Sequence, residues 1–385
     1  MNMERVSVEI EGDYLCSFIY SGVLILVDSD FFLHAYSWED VVLASLKGVD
    51  AFERFSIANY FKNSSSKKIP QKGRGKQYFL DKRELSNCYV CSTEIGVWPS
   101  DINIYKNRIY VSSDEGVDII DFNWSQGRVA SFCHAIKIWK ESAFSISTND
   151  YFRLAIAAGK SGVLSFVPKN REVSERDISQ LLPTTCVDCD WQNEYLIANT
   201  VNDGVSVFQF RPIPQQNEFN GSVQEYWKIV NEIKRQPPEI CNIDRIGGEK
   251  VINSWFAGEK LFYLTDSMGV GFVLRSELEQ ARSANTNNIR QIDEADSIIA
   301  SRTASFGTVI ELENSLKVLG RESIYSLDDE FTTWRVFPRS RNFANQLHVI
   351  KDQQISVLAL ESPNSEQTRE GYGFSVESLG QDIRL

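Results

Sequence analysis

At 385 residues, 42% hydrophobic and 24% charged, the chain has the composition of a folded globular protein, with eight Trp, 14 Tyr and 23 Phe available to fill a core. A net charge of −12 opposes polyanion binding by the body as a whole, and seven scattered cysteines, an odd number, argue against a secreted disulfide framework. The first residues, MNMERVSVEIEGD, carry acids where a signal peptide needs an apolar core, and no apolar run approaches the roughly 18 residues that span a bilayer, so a reduced, cytoplasmic protein without a membrane segment is expected.

Val6 to Ile10 reads as a strand leading through Gly12-Asp13 into the first of seven short hydrophobic hairpins, Leu15 to Val27 (LCSFIYSGVLILV). Ile109 to Phe122, Leu154 to Val167, Leu196 to Phe210 and Leu261 to Leu274 are further copies; Val309 to Leu319 and Val357 to Val376 are looser ones. Each is an apolar strand, a tight polar or glycine turn, and a second apolar strand, usually opening on Gly-Val. The first anchors, at 15, 109, 154, 196, 261, 309 and 357, are spaced by 94, 45, 42, 65, 48 and 48 residues. A further strand precedes most hairpins across a polar turn: Ile102 to Tyr105, Phe144 to Ser147 (through Asn149-Asp150), Cys186 to Trp191, Asn253 to Phe256 (through Gly258-Glu259) and Leu347 to Ile350. Asn, Asp and Gly recur in these turns because tight hairpins need positive φ or an Asx-type bond. Phe31 to Tyr36, Ala130 to Ile136 and Trp334 to Phe337 are candidates for less regular fourth strands.

Three or four antiparallel strands per forty-odd residues, repeated seven times, resembles the β-propeller. The resemblance rests on period and hairpin pattern. The chain lacks the Trp-Asp and Gly-His marks of WD40 repeats and the paired glycines of kelch repeats. It implies an all-β fold of seven four-stranded antiparallel blades, one domain over 1–385, with helix or loop insertions at 37–90 and 212–248. A stacked β-sandwich pair is the rival, but it does not demand such regular spacing. Gly22, Gly116, Gly162, Gly204 and Gly269 should then hold equivalent turn positions, and the last blade, with Val357 to Leu360 and Tyr372 to Val376, should meet Val6 to Ile10 to close the ring.

The first insertion predicts a helix from Trp38 to Lys47, capped by Ser37 and Asp40 and ended by Gly48. Lys62 to Glu84 follows, with eight Lys or Arg against two acids. An eighth, degenerate blade using Tyr78 to Leu80 and Tyr89 to Cys91 would also fill the gap of 94, but no copy of the hairpin turn survives there. The second insertion predicts a helix from Val223 to Arg235, with Ser222 and Glu225 as a capping box and Pro237 as its stop. A shorter helix is expected from Ser276, capped by Glu279.

Three sets of residues could carry function. In the basic loop, Lys67, Lys68, Lys72, Arg74 and Lys76 could hold phosphates, with Tyr78 and Phe79 stacking on bases; a solvated loop is the plainer reading. The stripe Tyr226, Trp227, Val230 and Ile233 could dock a partner, or pack on the propeller rim. Asp28, Asp30, Asp114, Glu115, Asp203 and Asp266 lie in hairpin turns; equivalent turns gather on one propeller face, where these acids could meet a basic partner, although turn chemistry alone explains them.

The C-x-x-C pairs Cys88/Cys91 and Cys186/Cys189 read as buried core, because residues three apart on a strand face opposite ways. His34 and His348 read as core histidines, and His134 beside Cys133 as incidental. No cofactor, metal or catalytic set is expected. The favoured reading is a non-enzymatic protein-protein interaction scaffold, a subunit of an intracellular complex binding one or more proteins. The alternatives are a nucleic-acid-associated subunit using loop 62–83, and a ligand-binding or enzymatic propeller with its site at the channel mouth.

Overall fold

Seven separate sheets, antiparallel except for one outer strand of the last, succeed one another along the chain, and the last takes in the N-terminal strand. The structure is a computed structural model describing residues 4–63, 68–125, 128–149, 153–166, 178–257, 260–267, 269–275, 278, 290–291, 298–320, 324–327 and 330–361. It is a seven-bladed β-propeller.

Counted outward from the ring's centre, blade 1 is Tyr14–Tyr20, Val23–Asp28, Phe32–Ser37 and Tyr89–Glu94. Blade 2 is Asp101–Tyr105, Arg108–Ser113, Gly116–Ser125 and Arg128–Phe132, with Ile136–Trp139 also paired to its third strand. Blade 3 is Ser145–Thr148, Leu154–Ala157, Val163–Phe166 and Ile178–Leu182. Blade 4 is Cys186–Gln192, Tyr195–Thr200, Val205–Gln209 and Glu239–Ile243. Blade 5 has Glu249–Ala257, Lys260–Thr265 and Gly269–Leu274, flanked by the two-residue strands Arg245–Ile246 and Arg290–Gln291. Blade 6 is Ile298–Ala304, Gly307–Leu312, Leu316–Leu319 and Ile324–Leu327. Blade 7 is Thr333–Val336, Gln346–Lys351 and Gln354–Leu360, then the N-terminal Arg5–Glu11, then Gln77–Leu80. First strands of neighbouring blades touch from blade 2 round to blade 7, blade 7 touches the first strand of blade 1, and blades 1 and 2 meet through Val23, Ile25 and Val27 against Ile102, Ile104 and Ile109.

The turns form where the sequence offers residues that accept positive φ. Lys106 and Asn107 (φ 47 and 64) and Ser21 and Gly22 (φ 48 and 80) make two-residue turns with both central residues left-handed. Second strands are buried on both faces: all six residues of Arg108–Ser113 and of Tyr195–Thr200 are buried. Each blade lies between two others, so these strands read as continuous apolar runs rather than alternating ones. The core is a set of layers between blades, joining for example Ala155 and Ala157 of blade 3 to Trp191, Leu196 and Phe208 of blade 4.

The ring is framed one strand differently from the sequence expectation at its two ends. Val6 to Ile10 does not open blade 1. Arg5–Glu11 runs antiparallel to Gln354–Leu360 in register from Arg5↔Leu360 to Glu11↔Gln354, and so becomes the fourth strand of blade 7. Ring closure is therefore backbone hydrogen bonding within one sheet. The strand containing Val357 has its hairpin partner upstream, in Gln346–Lys351, across Asp352 and Gln353; Tyr372 to Val376 lie outside the described residues. Trp334 lies on the first strand of blade 7, not on a fourth strand of blade 6.

The hairpin Leu15 to Val27 is likewise the first and second strands of its blade, whereas the copies at 109, 154, 196 and 261 are second and third. Gly22 thus sits in a first-to-second turn with nothing within 4 Å of a Cβ added there, unlike Gly116, Gly162 and Gly204. At Gly116 (φ +128) and Gly162 (φ +79), a Cβ would fall 2.0 and 1.9 Å from the carbonyls of Trp139 and Leu182; Gly204 meets Ile243 in the same way. These glycines serve one role: only a residue without Cβ lets the turn press against the end of the outer strand.

The gap of 94 residues holds no eighth blade. Tyr89–Glu94 pairs with Phe32–Ser37 as the fourth strand of blade 1, while Gln77–Leu80 runs parallel to Arg5–Glu11 in blade 7. Between them the chain forms helices α1 (Trp38–Ser45, capped by Ser37), α2 (Ala51–Lys62, capped by Asp50) and α3 (Lys82–Ser86, capped by Asp81). Helix α4 (Val223–Arg235), with its Ser222/Glu225 capping box, lies between the third and fourth strands of blade 4. The strand Glu239–Ile243 falls inside the expected 212–248 insertion but belongs to blade 4. Ser276 and Glu279 lie outside the described residues, and no described helix is long and apolar enough to cross a membrane.

Candidate functional site

One face of the ring gathers the turns that join second to third strands. Its geometry is fixed by hydrogen bonds from those turns to neighbouring strand starts. The Gly159 turn of blade 3 exchanges two backbone bonds with Cys186, at 2.9 and 3.0 Å. Val201 donates to the Thr185 carbonyl at 3.0 Å, Asp266 to Lys250 at 2.9 Å, and Ser142 Oγ to the Asp114 carbonyl at 3.0 Å. Phe31 packs edge-on against Trp98 at 6.1 Å.

Six of the seven turns on this face carry an exposed acid: Asp30, Asp114 with Glu115, Asp203, Asp266, Glu313 and Asp352 in blades 1, 2, 4, 5, 6 and 7. Blade 3 has Lys160 there, beside a Ser161 hydroxyl that donates to Glu141 at 2.8 Å. Glu313 and Asp352 extend the sequence-based set; they were hidden because their hairpins are the loosest copies. Asp28 turns back into its own blade, where its carboxylate lies 2.7 Å from His34.

Inside this acidic crown the first strands supply apolar side chains. In blades 1, 4, 5 and 6 the register shifts just after pairing with the second strand begins, between Tyr14 and Cys16, Cys186 and Asp188, Val251 and Asn253, and Ile298 and Ala300. Such a bulge leaves one residue out of the ladder alternation. The residues left over are Leu15, Val187, Ile252 and Ile299; the last three are 43%, 41% and 56% exposed. Trp98 and Phe144, just before the first strands of blades 2 and 3, are 59% and 48% exposed.

The bulge in blade 4 also corrects an expectation about cysteines. Cys186 and Cys189 do not face opposite ways; with Val187 displaced, both enter the same core layer. Burial pushes the Cys186 thiol up to about 12 and Cys189 well above its usual value, so neither is a thiolate near neutrality. Cys88 and Cys91, raised by burial to about 11, join different layers. Among the described residues no group of His, Cys, Asp or Glu is arranged to hold a metal.

The central channel is crossed by ion pairs between non-adjacent blades. Arg302 of blade 6 donates to Asp188 Oδ1 of blade 4 at 2.7 Å. Arg335 of blade 7 donates to Asp101 Oδ1 at 2.9 Å and to the Ile102 carbonyl at 2.9 Å, both in blade 2. Burial pulls the Arg302 pKa down, but Asp188 and then Asp190 more than offset it, and the net shift is upward. The remaining carboxylate oxygens take neutral donors: Asn199 Nδ2 to Asp188 Oδ2 at 2.9 Å, Ser147 Oγ to Asp190 at 2.9 Å and the Ile146 amide to Asp101 at 3.1 Å. These charges are spent on one another, as a structural tie.

His348 is buried between Ser17 Oγ at 2.7 Å and Gln346 Oε1 at 3.1 Å. Burial and Arg335 lower its pKa to about 3, too weak a base to take a proton near neutrality. His134 is exposed, and the adjacent Cys133 thiol bonds Asn123.

The basic loop lies against the helical insertion and spends its cations there. Lys72 faces Asp50 and Glu53 at 3.5 and 3.7 Å, Lys76 faces Glu53 at 3.2 Å, and Arg74 faces Glu361 and Glu4 at 3.5 and 3.8 Å. Lys68 is exposed, and Lys67 lies outside the described residues. Tyr78 is buried among α1, α2 and blade 7, so its ring is not available for base stacking, whereas Phe79 is 67% exposed on the opposite face of the same strand.

Helix α4 packs Tyr226, Val230 and Ile233 inward and leaves Trp227 47% exposed. Its C-terminal end is seated on blade 3, where Arg153 donates to the Lys234 carbonyl at 2.8 Å and stacks over Phe210 at 4.2 Å. Of Tyr226, Trp227, Val230 and Ile233, Trp227 alone stays exposed.

No family profile and no curated protein matches the chain. Among solved structures it is similar to PorZ, a bacterial surface component of the type IX secretion system of Porphyromonas gingivalis, with a TM-score of 0.47 and 10% identity over 96% of this chain. The chain spans 39% of the PorZ chain. It is also similar to the β-propeller domain of Cps50 (Swd1) from Myceliophteria thermophila, with a TM-score of 0.39 and 10% identity over 68% of this chain and 96% of that one. At such identity, nothing those proteins do carries over to this chain.

Proposed function

We propose that this propeller is a non-enzymatic protein-interaction scaffold that receives a basic protein surface with apolar anchors on its acidic face. The observation that carries the reading is an exposed acid in six of seven equivalent turns, surrounding Trp98, Phe144, Val187, Ile252 and Ile299. An apolar centre within a charged rim is how protein interfaces are built, the centre supplying affinity and the rim steering and register. The rigid ring beneath favours this use, since little conformational entropy is lost when its turns are engaged. Seven free cysteines support work in a reducing compartment, as a subunit of an intracellular complex. The nucleic-acid reading has less support, because Lys72, Arg74 and Lys76 already face carboxylates of this chain.

The test is affinity capture from native lysate, with nuclease, comparing the full chain with two variants. One carries Asp114→Lys, Glu115→Lys, Asp203→Lys and Asp266→Lys; the other carries Trp98→Ala and Ile299→Ser. A stoichiometric protein lost from both variants supports the reading. A partner that stays with both, or nucleic acid that leaves only on nuclease treatment, refutes it.

A further inference from the structure

Blade 7 is one strand wider than blade 6, and the difference leaves a groove between them. Near the axis the facing surfaces are apolar, with Leu347, Val349 and Leu358 packed on Val309, Leu316 and Val318. Further out, Arg5, Glu9, Gln77, Lys351 and Ser356 of blade 7 face Tyr325 of blade 6 across a volume of about 280 Å³. That lies just below the roughly 300–1,000 Å³ of pockets for drug-sized molecules, so the space suits a small polar one.

Glu9 is 4% exposed. Its Oε1 accepts from the Ser7 hydroxyl at 2.6 Å, and its Oε2 from the Ser356 hydroxyl at 2.5 Å and the Gln354 amide at 2.7 Å. All three donors are neutral, and no described Lys or Arg reaches this carboxylate. Buried charges are ordinarily paired, and a carboxylate held only by neutral groups keeps its appetite for a cation. Arg5 stacks on Tyr325, 4.6 Å from the ring centroid, and no described residue accepts a hydrogen bond from it. A stacked guanidinium keeps its N–H fork free for a carboxylate.

An anion entering the groove would meet Glu9, and a simple cation would meet Arg5 and Lys351. A molecule with an ammonium at one end and a carboxylate at the other offers Glu9 and Arg5 each its opposite charge. Arg5 and Glu9 stand four residues apart on one strand, about 13 Å between Cα atoms. Residues four apart on a strand share one face, so both side chains line the same groove, and a ligand joining them must be longer than a single amino acid. We propose that the groove between blades 6 and 7 binds a free zwitterion of the dipeptide class, with its ammonium on Glu9 and its carboxylate on Arg5.

Titration calorimetry of the full chain with alanyl-alanine, its N-acetyl form, its C-terminal amide and the free amino acids tests this. The dipeptide should bind more tightly than the free amino acids, and capping either end should weaken it about ten-fold or more. Glu9→Gln should weaken the zwitterion but not the N-acetyl form, and Arg5→Gln the zwitterion but not the amide. Should Glu9→Gln fail to fold, the capped ligands and Arg5→Gln still decide the matter. No heat from the dipeptide at millimolar concentration, or binding indifferent to both caps, overturns the proposal.

Discussion

The hydroxyl of Tyr60 donates to the backbone carbonyl of Leu360 at 2.9 Å, joining an insertion of blade 1 to the last described strand of blade 7 across 300 residues. Gln346 repeats the link with an Nε2 bond to the Phe61 carbonyl at 2.7 Å. With Gln77–Leu80 paired to Arg5–Glu11, the insertion clamps the one seam where the ring closes on non-consecutive strands.

Tyr60→Phe strands a buried carbonyl and should cost about 1 kcal/mol, the usual net worth of such a bond. The buried Tyr78 hydroxyl has no hydrogen-bond partner among the described residues. Tyr78→Phe should therefore be neutral or slightly stabilising. Urea midpoints of the two variants should move apart; a loss from Tyr78→Phe as large as that from Tyr60→Phe would contradict this account of the seam.

The cross-channel pairs should behave as coupled charges. Arg302→Ala leaves Asp188 in the channel without its cation. The pair's side chains are 30% and 26% exposed, between the buried and surface cases, so a loss of about 2 kcal/mol is expected. Adding Asp188→Asn should recover much of it. A double-mutant cycle measures the coupling, and purely additive losses would show that the two side chains do not act as a pair.

Acid should loosen the ring through His348. Its folded-state pKa is about 3 against the ordinary 6.5, so between those values the unfolded chain binds a proton that the folded chain refuses. Stability present above pH 6.5 is thus lost as pH falls toward 3, by about 1.4 kcal/mol per pH unit from this group. Chemical unfolding as a function of pH should show that slope, and His348→Gln should flatten it.

Glycines of like sequence should differ in what they tolerate. Gly22→Ala meets only its left-handed φ of +80, in open space, and should cost about 1 kcal/mol. Gly162→Ala meets φ +79 and a carbonyl 1.9 Å from the new Cβ, so the blade 3 turn must shift. Its loss should exceed that of Gly22→Ala several-fold. Equal thermal shifts for the two would remove the distinction between the turns.

Local chemistry made much of this legible from residues alone. Apolar runs of five or six between Asn, Asp or Gly turns determine strands buried on both sides, and their repeat determines a ring of blades. The Ser222/Glu225 box determined where α4 begins, because the cap and its partner are three residues apart. Helix α2 escaped notice, since its apolar residues lie on both faces and give no stripe: Ile57 and Phe61 point in, Phe52 and Phe55 out.

Tertiary structure alone decided the rest, because it depends on residues far apart in the chain. A strand such as Val6 to Ile10 satisfies its backbone equally well with any neighbour; ring closure chose Gln354–Leu360, 345 or more positions away. Whether Lys76 or Arg74 of the basic loop is free depends on where Glu53 and Glu361 fold, which the loop's own neighbourhood does not contain. The bulges that expose Val187, Ile252 and Ile299 are likewise invisible in period-two patterning, since one extra residue reverses the face of every residue before it. The sequence determined the blades and the acids in their turns. Only closure of the ring made those acids one face around a shared apolar centre, because seven separate turns become neighbours when, and only when, the first and last strands pair.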